Sequence, residues 1–506
     1  MSEKDSDSGS APAGKSKREK EPKKTITTKP AKVKFVPPKK VHSLIFPDQR
    51  IFLEAILLDG KPAFLHRDGI TGRLDFVTNF VHNDITYAPA EPLGYHPYEF
   101  KSDDDINKSI KLENLVNETL TEWRTFIACE DEWRIVNVAY DVVSYILPKL
   151  MTVPYLAGFG DIETGKGQRM QCHGYIAYRA NTGTLATPAN VFAYANDVKG
   201  LLIQDEFDAI ERDRQLHALY KDGYKRGASV LRTSINRDGE RIQHAYDTFC
   251  CKIIYSNFIV RSPAILRRTI VEYTAKRQPA LDEFKFEDLK RLAFIGKRFL
   301  IWKLQTALDP LPDLTDIPFT AGAKEIYKPL LQAVYDTSIY EPLLKFCQEI
   351  NKEKIEAMKT SLTALVTKAC VKLRERQCPF GELRALLADY MEGEIAEKSN
   401  VAIGVRSSEY GLITDIKIVN EIKLNLGGVK ARPYVHDEIT DTLRDAGKSE
   451  DRQVKGWYVN PKRLLEMVEK YHLEGDTGIE AELLQLRYEI RMSGSAGSTG
   501  STGSTG

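Results

Sequence analysis

The chain has 506 residues, 42% of them hydrophobic and 28% charged, and its 72 Lys/Arg nearly cancel its 71 Asp/Glu. That length exceeds one compact core and predicts two to four domains, and the even charge excludes a chain that binds nucleic acid by bulk charge alone. No apolar run reaches the roughly 18–20 residues of a bilayer span, no signal-peptide core opens the chain, and seven scattered cysteines lack a CxxC pair, so a cytoplasmic protein with no membrane partner and no structural zinc is expected.

Residues 1–40 carry 12 Lys/Arg against 5 Asp/Glu among Ser, Pro and Gly, which predicts a disordered basic tail. Residues 41–105 hold short β-like runs such as "RIFLEAILLDG" and "KPAFLHRDG", which predict a small β-rich N-terminal domain. From Ile106 to Leu150 the apolar spacing turns helical, and this stretch opens a core domain expected over 106–282. Residues 283–398 read as a helical domain, 399–474 as a winged helix and 475–492 as a C-terminal helix. "SGSAGSTGSTGSTG" (Ser493–Gly506) reads as an engineered flexible linker.

Within the core, "GDIETGKGQRM" has the outline of a phosphate-binding loop. A GxxxxGK match alone is weak. Its setting strengthens it, because "MTVPYLAGFG" before it suits a buried strand and "QRMQCHGYIAYRA" after it suits a helix. Gly160, Asp161, Ile162, Glu163, Thr164, Gly165, Lys166, Gly167 and Gln168 are therefore the candidate nucleotide-binding residues. Glycines let backbone amides approach phosphate, the helix N-terminus adds positive partial charge, and Lys166 would reach the β- and γ-phosphates.

"GLLIQDEFDAI" follows, an apolar strand ending in Asp205 and Glu206. Asp205 is the candidate magnesium ligand and Glu206 the candidate base for the attacking water. "YKDGYKRGASVLRTSINRDGERIQHAYDTF" reads as a hairpin turning at Asp-Gly. Lys225, Arg226, Arg232, Arg237 and Arg241 on it suit the phosphates of single-stranded DNA, although charges on a sheet edge also deter aggregation. "CCKIIYSNF" ends a further strand at Asn257, a candidate contact to the γ-phosphate. "SPAILRRTIVEY" starts a short helix at Pro263 and ends it at Arg267-Arg268, candidate trans-acting groups.

These stretches resemble ring-forming P-loop helicase ATPases of plasmids, phages and archaeal mobile elements. They are similar to superfamily 3 helicases and to the primase-linked ATPases related to them. The likeness covers about Leu147–Tyr273 and includes "GDIETGKG", "TGTLATPANVF", "LLIQDE", "YKRGASVLR" and "IIYSN". It implies an α/β P-loop AAA+-like core, usually a hexamer, that moves along single-stranded DNA using ATP and Mg²⁺, with Arg267 or Arg268 acting across a head-to-tail subunit boundary. A primase or other replication partner is a further expectation. The chain departs from the pattern at Gly167, where Ser or Thr usually supplies a hydroxyl to magnesium. A nucleotide-regulated DNA-binding or initiation scaffold that does not unwind is the competing reading. A protein-remodelling ring is a weaker one, since its pore aromatics would have to be Phe192 or Tyr194.

In the last domain, "TDIKIVNEIKLNLGG" predicts a helix with Ile416, Val419, Ile422 and Leu426 on its apolar face, and "VHDEITDTLRDAG" predicts a second amphipathic helix. A charged wing with Lys448, Arg452 and Lys455 would follow, then a helix capped at Asn460-Pro461.

Overall fold

A computed structural model describes residues 37–181, 187–207, 212–235, 241–281, 283–398, 401–408, 411–431, 434–437, 442–445 and 456–495 of the chain, and they form a mixed α/β protein. Most of the basic tail, Arg237 of the expected hairpin tip and Lys448, Arg452 and Lys455 of the expected wing lie outside the described residues.

The N-terminal β-like runs pair as two small sheets. Strands β1 (Lys39–Val41), β6 (Phe80–His82) and β7 (Ile85–Pro89) make one. Strands β2 (Ser43–Phe46), β3 (Ile51–Leu58), β4 (Lys61–Arg67), β5 (Leu74–Val77) and β8 (Glu99–Phe100) make the other. Helices α1 (Leu112–Phe126) and α2 (Asp131–Ile146) follow, and α2 is buried along most of its length.

The central element is a four-stranded sheet of β9 (Tyr155–Phe159), β10 (Leu202–Gln204), β13 (Lys252–Ser256) and β14 (Thr269–Tyr273). Its order is β10-β13-β9-β14 and every pairing is parallel. Such a sheet needs cover on both faces. Alternation along the strands supplies it. Leu156, Ile203, Ile253 and Ile270 join the largest apolar core, whereas Tyr155, Ala157, Leu202 and Ile254 join a second one.

Helix α3 (Lys166–Ile176) packs on the first face, and α4 (Pro188–Ala193) and α5 (Arg214–Asp222) help cover the second. Between β10 and β13 the antiparallel pair β11 (Ser229–Ile235) and β12 (Arg241–Asp247) stands apart as its own two-stranded sheet. The short helix α6 (Pro263–Leu266) leads into β14.

The helices expected over 283–398 divide between two apolar cores. α7 (Phe286–Gln305), α8 (Ala321–Ala333) and α9 (Tyr340–Lys359) contribute to the core that holds Leu156 and Ile253. α10 (Leu362–Lys372) and α11 (Phe380–Tyr390) pack instead with α12 (Asp415–Asn420), α13 (Pro461–Lys470) and α14 (Glu480–Ser495).

The C-terminal part departs from the expected helix order. Strands β15 (Glu394–Lys398), β16 (Val401–Ser407) and β17 (Gly411–Thr414) form a three-stranded antiparallel sheet. The predicted second helix is a pair of antiparallel strands, β19 (Tyr434–Asp437) and β20 (Thr442–Asp445), flanked by β18 (Val429–Ala431) pairing with β21 (Gly456–Tyr458). Tyr, Val and Thr favour extended backbone, and here they outweigh the helical spacing. In α12 and the turn after it, the buried face is Ile418, Ile422 and Leu426, while Ile416 is exposed.

Candidate functional site

The four parallel strands end at one edge, and the candidate residues gather there. β9 runs into Gly160, whose missing side chain is required, since a Cβ would lie 2.3 Å from the Thr274 carbonyl oxygen. Gly165, at φ 80°, turns the chain into α3 through a conformation that favours glycine. Between them Ile162 is 79% exposed and Glu163 stands at φ 64°. Thr164 points inward, its hydroxyl donating to the Asp161 carbonyl (3.0 Å) and sharing a hydrogen bond with the Thr274 hydroxyl (2.8 Å).

Lys166 opens α3 and folds back over the loop. Its ammonium donates to the carbonyls of Gly160 and Asp161 and, at 2.9 Å, to Asn257 Oδ1. Burial draws its pKa down, against Asp205 and Asp161, which raise it. Asp205 and Glu206 sit just past β10, and the Glu206 amide donates to Asp205 Oδ1 (2.9 Å). Glu206 takes φ 51°, a left-handed conformation uncommon for a non-glycine residue. Gly167 and Gln168 complete this wall of a cleft of about 640 Å³ that also holds Lys166, Asp205, Glu206 and Asn257.

The other wall is a segment the sequence reading passed over. Lys276, Arg277, Gln278 and Pro279, just after β14, line the same cleft. Lys276 pairs with Glu163 and Arg277 with Glu130. The available signal was a Lys-Arg pair leaving the carboxyl end of a parallel strand, the edge where ligands bind in such sheets.

Two buried polar pairs hold α3 in place behind the loop. Arg169 pairs with Glu272 of β14, and His173 Nδ1 lies 2.6 Å from Asp141 Oδ1 of α2. Burial raises the pKa of Asp141, with His173 opposing that shift. Lys166 therefore starts a helix fixed to both the sheet and α2.

The basic residues of the hairpin region do not act alike. Arg226 is exposed, and its guanidinium donates to the carbonyls of Leu150 and Leu147, each at 2.8 Å, and lies over the Phe249 ring, so it braces the hairpin base. Arg232 lies over the rings of Phe192 and Tyr246. Lys225 and Arg241 are exposed. Beneath the hairpin, Lys252 is fully buried and donates to the carbonyls of Gly223, Thr248 and Cys250.

Arg267 and Arg268 also differ. Arg268 donates to the Lys221 carbonyl and lies 4.1 Å from the Tyr224 ring centroid. Arg267 is exposed at the amino end of β14, the end opposite the cleft.

Among the described residues no group of three or more His, Cys, Asp or Glu side chains gathers as a metal site, and no helix is long and apolar enough to cross a membrane. Asp205 and Glu206 supply two carboxylates at the cleft, while Gly167 supplies no hydroxyl and the Thr164 hydroxyl is turned inward. A magnesium ion fits such a set, because Mg²⁺ binds through one or two carboxylates, substrate phosphates and water.

No family model and no curated protein matches the chain. Solved structures do. An A-form apo structure of the NrS-1 C-terminal region is 10% identical with a TM-score of 0.35, covering 81% of this chain and 97% of that one. Another apo structure of the same region is 12% identical with a TM-score of 0.34, covering 81% and 96%. The SCCmec type IV Cch active helicase is 11% identical with a TM-score of 0.34, covering 87% and 82%.

Proposed function

We propose that this chain is an ATP-driven helicase or translocase on single-stranded DNA, built on a P-loop AAA+-like core and working as a ring, with a hexamer as the expected form. It would serve the replication of a mobile element or virus, beside a primase or other replication partner. The observation that carries the reading is the meeting, in one cleft, of the Lys166 ammonium, the Asn257 amide and the acids Asp205 and Glu206.

In this reading the amides of Asp161–Gln168 and the Lys166 ammonium take the phosphates of ATP. Asp205 would hold magnesium directly or through water, and a bound ion would supply positive charge to the phosphates. Glu206 accepts a proton from water as the water oxygen bonds to the γ-phosphorus. The bond from that phosphorus to the β–γ bridging oxygen breaks, leaving ADP and phosphate. Asn257 touches the γ-phosphate and orients the water.

Arg267 serves a neighbouring copy. β14 alone separates it from the cleft edge by about 16 Å at the usual strand rise, so its own cleft is out of reach. A group on one end of the sheet acting on a site at the other end implies head-to-tail contact, which can close into a ring. Lys225 and Arg241, with Arg237 of the expected hairpin tip, would meet DNA phosphates.

Gly167 favours a second reading, a nucleotide-regulated DNA-binding or initiation scaffold. Strand displacement on a forked DNA separates the two. The motor reading expects the wild-type chain to open the fork with ATP, and Glu206→Gln to retain ATP without turnover. A wild-type chain that binds the fork and ATP but never opens it supports the scaffold, and a Glu206→Gln chain that hydrolyses ATP normally removes the assignment of the base.

A further inference from the structure

We propose that Lys276 and Glu163 form a clasp over the nucleoside side of the cleft, and that opening of this pair sets how fast nucleotide leaves. The inference rests on the nucleotide reading above and deepens it.

Strand order defines the two sides. The acids lie past β10 and Asn257 lies past β13, on one side of the loop that follows β9. The segment 274–281 follows β14, on the other side. With magnesium and the terminal phosphate beside Asp205 and Asn257, the remainder of a bound nucleotide runs toward β14. It meets Lys276, Arg277, Gln278 and Pro279 there.

Lys276 Nζ and Glu163 Oε2 are 2.5 Å apart and join that segment to the loop. Their side chains are 73% and 69% exposed, so the pair can open to solvent without disturbing a core. Each half is tethered. Beneath the pair, the Glu163 side is anchored to the segment itself, because the buried Thr164 hydroxyl shares a hydrogen bond with Thr274 (2.8 Å), so only the exposed pair above that bond opens. The Lys276 side is held by Arg277 on Glu130 (2.7 Å) and by the Leu281 amide on the Thr125 carbonyl (3.0 Å). An exposed ion pair on a plain surface contributes little. This one joins the two walls of a cleft, where even a small contribution acts on escape.

The test is release of a fluorescent ATP analogue, chased with excess ATP in a stopped-flow instrument. Lys276→Ala and Glu163→Ala should each speed release by about 2- to 5-fold, the range of an exposed pair. The double variant should release no faster than either single one, and the charge-swapped Glu163→Lys/Lys276→Glu chain should recover slow release. Single variants that release at the wild-type rate, or effects that multiply in the double variant, would overturn the clasp while leaving nucleotide binding intact. A wild-type chain that does not take up the analogue would overturn the nucleotide reading itself.

Discussion

Lys166 Nζ and Asn257 Oδ1 lie 2.9 Å apart although 91 residues separate them in the chain. Parallel pairing of β9 with β13, Phe159 opposite Ser256, creates this contact, because the two strands end together. The ammonium that would hold phosphate and the amide that would test for it share one hydrogen bond. Entering phosphate must replace that bond and the two loop carbonyls.

Gly167 is the departure from the phosphate-loop pattern, and there is room to repair it. A Cβ there meets nothing within 4 Å. Gly167→Ser should fold normally, gain about 0.5 kcal/mol from helix propensity and add a hydroxyl toward magnesium. The gain in magnesium binding should be about 1–3 kcal/mol, roughly 5- to 150-fold. Magnesium titration of ATP turnover measures it. An unchanged half-saturating magnesium concentration would show that water already fills that position.

Arg267 and Arg268 should separate cleanly. Arg267→Ala should lower ATP turnover on the order of 10³-fold with little effect on thermal stability, and mixing it with Lys166→Ala should restore some activity at boundaries that combine one intact cleft with one intact arginine. Arg268→Ala should lower stability first, since its guanidinium caps the Lys221 carbonyl and lies over Tyr224. The reverse pattern would move the trans role to Arg268.

Glu54 is the carboxylate of a buried cluster joining the β-rich N-terminal unit to the core. It accepts from Arg179 (2.7 Å), Lys303 (2.6 Å) and the Tyr178 hydroxyl (2.8 Å). Burial would raise its pKa, yet Lys303 and Arg179 outweigh that and the net shift is downward. Burial also pulls Lys303 down to about 8. Glu54→Gln leaves two cations without their counter-charge and should cost about 3–5 kcal/mol in denaturant unfolding. Glu54→Gln/Lys303→Met should recover part of the loss. A cost below about 1 kcal/mol would mean that the cluster relaxes or takes up water.

His42 belongs to the same seam, 3.0 Å from the Tyr95 hydroxyl. Burial, then the nearby Arg179, lowers its pKa from 6.5 to about 4. The folded chain keeps this imidazole neutral while the unfolded chain takes a proton below about 6.5. Stability should therefore fall as pH drops from about 6.5 to about 4, by up to about 3 kcal/mol. Melting curves across that window should show the fall in the wild-type chain and less of it in His42→Gln. Equal slopes in the two chains would assign the effect to other groups.

The loop, the acids and Asn257 were legible because each announces itself within about ten residues as a strand running into chemistry. Lys276 and Arg277 were not, because their place at the cleft depends on β14 lying against β9, Tyr273 opposite Phe159. Glu54 was visible as one acid in an apolar strand, but its partners come from residues far along the chain. Arg226 carried the right charge for DNA and is spent on Leu147 and Leu150, which only the fold brings near. Tyr434–Asp437 and Thr442–Asp445 fit helical spacing and strand composition at once, and pairing between the two segments decided for strand.

The most direct test is equilibrium binding of ATP with magnesium to the wild-type chain and to Lys166→Ala, by calorimetry. The account predicts measurable binding by the wild-type chain that weakens at least about tenfold when the charged hydrogen-bonding group is lost. Equal affinity in the two chains, or no binding by the wild-type chain, would contradict it.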